Sequence, residues 1–209
     1  MTCDAGGVAA LHAVSVIVTP PTWEPFTLDE AKLRAGLDWA PGDPRDDLMK
    51  EFIAAARSKV ELDTGRALNL HTRDVFLDDL PPVLQLPEYS SPLQSVMSVN
   101  AIAPDGALTL VDAANYEVDL ASARIAFTGG AWPSTMTLRA LHPWVVRITA
   151  GYPDVDALKA RAPQLHQAVG LMIAHYATRG RDATSMEAVN EMPYGYDCAI
   201  APYTLVKVP

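Results

Sequence analysis

A chain of 209 residues that is 49% hydrophobic and 20% charged carries enough apolar material for one globular domain or two small packed ones, and this excludes a disordered chain. The net charge of -9, from 16 basic and 25 acidic residues, disfavours simple nucleic-acid binding, but not a surface past which DNA slides without sticking. The two cysteines, Cys3 and Cys198, lie near opposite termini, which excludes a disulfide framework and a metal-ligand spacing and points to folding in a reducing cytoplasm.

The chain opens on an apolar stretch over residues 5–18. Asp4 precedes it without a Lys or Arg, and it is too short to span a bilayer, so neither a signal peptide nor a membrane span is expected. Val14-Ser15-Val16-Ile17-Val18 reads as a β-strand, because β-branched side chains suit a pleated surface. Pro20 and Pro21 stop it.

Thr27-Leu28-Asp29-Glu30 is a capping box, and it predicts a short helix over residues 28–37. Ala40-Pro41-Gly42-Asp43 is a turn, after which Asp43 caps a second helix with Pro44 at its first position. Leu48, Phe52, Ala55, Ala56 and Val60 form one predicted apolar stripe, with Asp46–Lys50 and Arg57–Glu61 as i,i+4 pairs on the wet side. Gly65 closes this helix in the left-handed conformation.

Between residues 67 and 150 there is no lysine, and the only basic side chains besides His71 and His142 are Arg73, Arg124, Arg139 and Arg147. Over residues 70–150 the apolar period changes to two, as in Tyr116-Glu117-Val118-Asp119-Leu120 and Ala123-Arg124-Ile125-Ala126-Phe127. Further strands are predicted over residues 93–102, 108–111 and 144–150, with turns at Pro104-Asp105-Gly106 and Gly129-Gly130. This block is antiparallel β.

A third helix is predicted over residues 163–178, with Leu165, Val169, Met172, Ile173 and Tyr176 on one face and Arg179-Gly180 as its end. Residues 181–209 show no clear period. The aromatic residues of this tail are expected to fold onto their own domain or onto a neighbour.

Chemistry-bearing motifs are missing. There is no dinucleotide fingerprint, phosphate loop, nucleophile elbow or zinc-protease motif. His12, His71, His142, His166 and His175 read as ordinary core or surface imidazoles, and His166 and His175, nine residues apart on one helix, point to opposite faces. Asp154-Val155-Asp156 lacks the remaining ligands of a calcium loop, so Asp154 reads as a cap for the following turn. Asp46-Asp47 and Asp78-Asp79 read as solvated acids, and neither cysteine has a basic neighbour to activate it. No catalytic, cofactor-binding or metal residue is expected, and the protein reads as a non-enzyme with no cofactor.

The order of short motifs resembles the head–tail connector (head-completion adaptor) family of tailed phages and prophages. The matching pieces are Glu24-Pro25-Phe26-Thr27-Leu28-Asp29-Glu30-Ala31-Lys32, Phe52-Ile53-Ala54-Ala55-Ala56-Arg57 and Thr64-Gly65-Arg66-Ala67-Leu68. Leu86-Pro87, Pro92-Leu93-Gln94-Ser95-Val96, Tyr116-Glu117-Val118-Asp119, Arg124-Ile125, Trp132-Pro133 and Ala150-Gly151-Tyr152 follow. Residues 167–176, Pro193-Tyr194-Gly195 and Ala201-Pro202-Tyr203 complete the series, which spans residues 19–203. The first eighteen residues and those after Tyr203 depart from the family pattern.

The resemblance implies a ring, commonly twelve-fold, between portal and tail, with DNA passing through its centre and no membrane contact. The partners it implies are further copies of the chain, the portal protein and a stopper or tail-completion protein; the place is the virion neck, after synthesis in the host cytoplasm. The alternatives are a tail-completion or stopper protein and, third, a small enzyme without a recognisable motif. The expected fold is α+β, with an N-terminal helical pair and a C-terminal helix packed together and an antiparallel β block inserted between them. The expected divisions are an extended segment (1–26), a helical connector domain (27–66 and 160–180), a β subdomain (67–152) and a tail (181–209). Tyr194, Tyr196, Tyr203 and Leu205 are the candidate protein-contact anchors, since tyrosine offers large contact area at low entropy cost.

Overall fold

The computed structural model describes residues 13–128, 137–179 and 194–205. The fold is α+β. Its elements in chain order are β1 (Ala13–Thr19), α1 (Leu28–Arg34), α2 (Arg45–Thr64), β2 (His71–Leu77), β3 (Val83–Gln85), β4 (Leu93–Ile102), β5 (Leu108–Leu110), β6 (Tyr116–Asp119), β7 (Arg124–Phe127), β8 (Trp144–Ala150), α3 (Val155–Arg161), α4 (Pro163–Arg179) and α5 (Tyr194–Ile200). The turns predicted at Gly129-Gly130 and Gly180, the Trp132-Pro133 match, Cys3, His12 and Pro193 lie outside the described residues.

The helices gather around α4, which packs against α1, α2, α3 and α5. Leu165, Ala168, Val169, Met172 and Ile173 of α4 are buried there with Phe26, Met49, Ile53, Ala56 and Val60. Gly170 leaves room for the Phe26 ring, since a Cβ at that position would lie 3.0 Å from its edge. The Thr27 capping box forms as expected: Glu30 accepts from the Thr27 amide at 2.8 Å, and Thr27 accepts from the Glu30 amide. That helix ends at Arg34, short of the predicted residue 37, where Ala35 and Gly36 turn back on its carbonyls.

In α2 the buried row is Asp46, Met49, Ile53, Ala56, Val60 and Thr64, rotated from the predicted stripe. Leu48 is exposed, as is Ala55. The rotation follows from Asp46, which turns inward to a buried partner instead of pairing with Lys50; Lys50 bonds Asp47. Gly65 is left-handed, φ +67°, as predicted, and its amide returns to the Glu61 carbonyl.

The named strands all pair antiparallel, and an isolated parallel bridge joins Asn69 to Tyr152. One sheet has the order β1-β2-β8-β4-β5 and a second β3-β7-β6. Their facing side chains, among them Val75, Leu77, Leu84, Val99, Ile125, Val146 and Ile148, form a core separate from that of the helices. The register Ala13↔Leu77, Ser15↔Val75 and Ile17↔Arg73 puts alternate β1 residues on the inner face. Two short helices go beyond the sequence expectation: α3, where the Asp154 cap accepts from the Ala157 amide and the expected turn continues to Arg161, and α5 in the aromatic tail.

Candidate functional site

Helix α5 and the turn after it dock the tail on the helical core. Tyr196 is fully buried, and its hydroxyl donates to Asp63 at 2.6 Å. Burial, with that carboxylate second, pushes its pKa far up. The expectation that Tyr196 is a surface anchor is therefore corrected: a ring removed from water on its own subunit presents no contact area outside. Tyr203 and Leu205 are half-buried. Arg66 donates to the Tyr203 carbonyl at 2.7 Å, and the Leu205 amide donates to the Thr64 carbonyl at 3.0 Å. The Tyr194 side chain lies outside the described residues.

Among the described residues the other titratable groups are dispersed over the fold. Among the described residues no three His, Cys, Asp or Glu side chains are placed to hold a metal ion. No described helix is long and apolar enough to cross a membrane. His166 stacks on Phe26 at 4.2 Å and approaches the Pro25 carbonyl at 3.0 Å, while His71 approaches the Asn69 carbonyl at 2.8 Å. Burial lowers the pKa of both. Asp46, expected in solvent, is instead buried against Lys32 at 2.8 Å and accepts from the Trp39 indole at 2.7 Å. Asp78 accepts from the His142 amide at 2.9 Å.

Surface character distinguishes the two halves. Around the sheets Val14, Val16, Ile17, Val18, Met97, Leu108 and Leu110 are exposed, although single exposed aliphatics need no explanation. What is unusual is their grouping on β1 and β5, the two margins of one sheet, and on β4 beside β5. An edge strand with unpaired backbone groups is ordinarily guarded by Lys or Pro, and Ala13–Thr19 contains neither. On the helical side an open groove of 550 Å³ runs past Lys32, Leu33, Leu37 and Trp39, with Asp29 and Asp38 at its rim.

Between the two cores runs a polar seam. Arg57 bonds Glu24 at 2.9 Å and Glu61 at 2.8 Å, and Glu61 also accepts from the Leu68 amide at 2.8 Å. These side chains are largely withdrawn from water, contrary to the wet-side placement expected for Arg57–Glu61. Asn69 donates to the Trp23 carbonyl, and Arg73 stacks its guanidinium 5.1 Å from the Tyr89 ring. The sequence signal was available but unused: Asn69, His71 and Arg73 occupy alternate positions that continue as Val75 and Leu77, so a polar run shares the buried face of β2.

No protein-family model matches the chain, and no curated protein matches it in sequence. Among solved structures it is similar to a chain in the neck of the empty gene transfer agent (GTA) particle computed with C6 symmetry: TM-score 0.73, 24% identity, 94% of this chain and 97% of that one covered. It is similar also to a chain in the virion of the native GTA particle, with TM-score 0.73, 23% identity and coverage of 93% and 97%. A chain in the neck of the native particle computed with C12 symmetry gives TM-score 0.69, 24% identity and coverage of 94% and 97%. The shared fold thus extends over nearly the whole of each chain.

Proposed function

We propose that this protein is a structural subunit of the neck of a tailed-phage-like particle, a head–tail connector that closes into a ring between portal and tail. The observation that carries the reading is the whole-length likeness of fold to chains of GTA necks and virions, two of them computed with C6 and C12 symmetry. The motif order over residues 19–203 points the same way independently. A ring subunit needs two different faces, and the apolar sheet margins and the groove beside Leu33 and Trp39 supply unlike surfaces.

The partners under this reading are twelve copies of the chain, the portal protein and a stopper or tail-completion protein, with DNA passing through without sequence-specific contact. The net charge of -9 suits a channel past which DNA moves without adhering. Tyr203 and Leu205, half-exposed at the chain's end, are the proposed contacts to neighbouring parts, together with Tyr194. The reading is non-enzymatic, with no cofactor. The test is mass measurement of the purified chain alone and mixed with its cognate portal. A discrete high-order ring on the portal supports the reading. A chain that stays monomeric beside an assembled portal overturns it.

A further inference from the structure

The seam contains an anomaly that the described residues do not resolve. Arg73 is 9% exposed, its Nε is buried without a hydrogen-bond partner, and it forms no ion pair with a described carboxylate. The described carboxylate whose charge acts on it is that of Glu61, whose two oxygens are already held by Arg57 and the Leu68 amide. His71 Nε2, Asn69 Oδ1, Ser90 Oγ and the Trp23 indole nitrogen are likewise buried and unpartnered. Asn69 and His71 are 0% and 6% exposed and belong to the same buried row as Arg73. A buried guanidinium whose Nε lacks a hydrogen bond is unfavourable even on an aromatic ring, and the orphaned polar atoms of Asn69 and His71 in the same row compound the cost.

Two features open this spot to the outside. Ile17 lies opposite Arg73 on the same face of the sheet and is 47% exposed, and the β1–β2 register slips immediately after it. Tyr89, which carries the guanidinium on its ring, is half-exposed. An arginine seated on a tyrosine with Ile17 opposite it has the composition of an interface core. Arginine's fork matches one ligand chemistry above others, the two oxygens of a carboxylate.

We propose that Arg73 is a carboxylate receptor left open in the single subunit and filled by an Asp or Glu of a second copy. The source follows from charge: the chain has 25 acidic against 16 basic residues, so any neighbouring copy offers carboxylates in surplus. The choice of a second copy rests on the ring reading; the chemistry of the receptor does not.

The test has two arms. In the first, isolated wild type and Arg73→Met are denatured thermally in sodium chloride and in sodium acetate at equal ionic strength. The expected result is a variant as stable as wild type or more so in chloride, because an unpaired buried charge is gone. Acetate raises the wild-type midpoint by a few degrees and leaves the variant unmoved. In the second, self-association on the cognate portal is measured for wild type, Arg73→Met and Arg73→Lys. Methionine weakens it on the order of tenfold or more, and lysine by less.

An Arg73→Met chain that is less stable, with acetate inert on wild type, overturns the proposal, because the guanidinium is then satisfied inside the subunit by water. An acetate effect with association unchanged overturns the second-copy source and leaves a site for free anions only. A wild-type chain that never associates overturns the ring reading and the second-copy source with it, while the acetate arm still decides the chemistry of Arg73.

Discussion

The helical half and the β half solve the problem of charge in opposite ways. Around the helices, charged groups are drawn in and paired. Lys32 and Asp46 meet at 2.8 Å with side chains only 7% and 10% exposed, and Arg57 is shared by Glu24 and Glu61. The β half contains no lysine, ties Arg147 to Asp74 and Arg124 to Gln85, and leaves the Arg73 Nε without a hydrogen bond among the described residues. It also leaves the aliphatic side chains of β1 and β5 in water. The helical half also exposes Leu33, Leu48 and Leu62, but singly, whereas the β half groups its exposed aliphatics along its margins. Surface features therefore direct attention to the sheets as the sticky side of the subunit, even though the local sequence signals are stronger in the helices.

The comparison breaks most visibly where the halves join. Gly151, φ +101°, leads from β8 to α3, and a Cβ there would lie 2.1 Å from the Asn69 carbonyl oxygen. Gly151→Ala strains the backbone and pushes the seam apart, and a loss of about 4 kcal/mol is expected in urea denaturation. Ile125, fully buried between the sheets, comes next: Ile125→Ala removes about 3 kcal/mol. If the seam couples the halves, this β substitution shifts the helical circular dichroism transition by the same amount. An unshifted helical transition would show two independent units.

Smaller effects sharpen the helical side. Tyr196→Phe keeps the ring packed and deletes the bond to Asp63, for an expected loss of about 1.5 kcal/mol by urea denaturation. Portal binding should not change, since the hydroxyl faces inward; a binding defect without a stability defect would restore Tyr196 as an anchor. Asp46 is held down to about 2 by the Lys32 ammonium, with the Trp39 indole and the Gly42 amide adding to it. Its folded pKa lies below the ordinary value of 3.8, so the stabilisation is complete above that value and is lost as pH falls through about 2. Denaturation midpoints measured from neutral pH to pH 2 should decline less in Lys32→Met/Asp46→Leu than in wild type.

How far the sequence could be read follows the same division. The Thr27 box, Gly65 and the apolar face of α4 are local signals, and each forms where the residues place it. Strands β4 and β8 were legible from period two, down to their ends. The stripe of α2 was misread because Asp46, polar by type, is buried by a lysine from another helix, which no periodicity contains. Helix α5 was missed because seven residues that follow Pro193 and contain Gly195 carry little propensity, and its stability comes from burying Tyr196. The seam shows in the sequence only as the alternation of Asn69, His71 and Arg73 with Val75 and Leu77, because a polar residue on a strand's inner face acquires meaning only from what packs across it.

The smallest expected effect on the free chain discriminates best between the two halves as assembly surfaces. Val16 is 49% exposed on β1 and Leu33 81% exposed on α1. Val16→Thr preserves the branched shape and strand propensity, and Leu33→Gln preserves the helix, so each should change the stability of the isolated subunit by less than about 0.5 kcal/mol. Their effects on ring formation should differ. A neighbour seated on the sheet margin loses apolar contact at Val16, so association of Val16→Thr on the portal falls while that of Leu33→Gln holds. The reverse pattern would move the interface to the groove beside Trp39 and would mean that the exposed margin of β1 is not the side on which the neighbour sits.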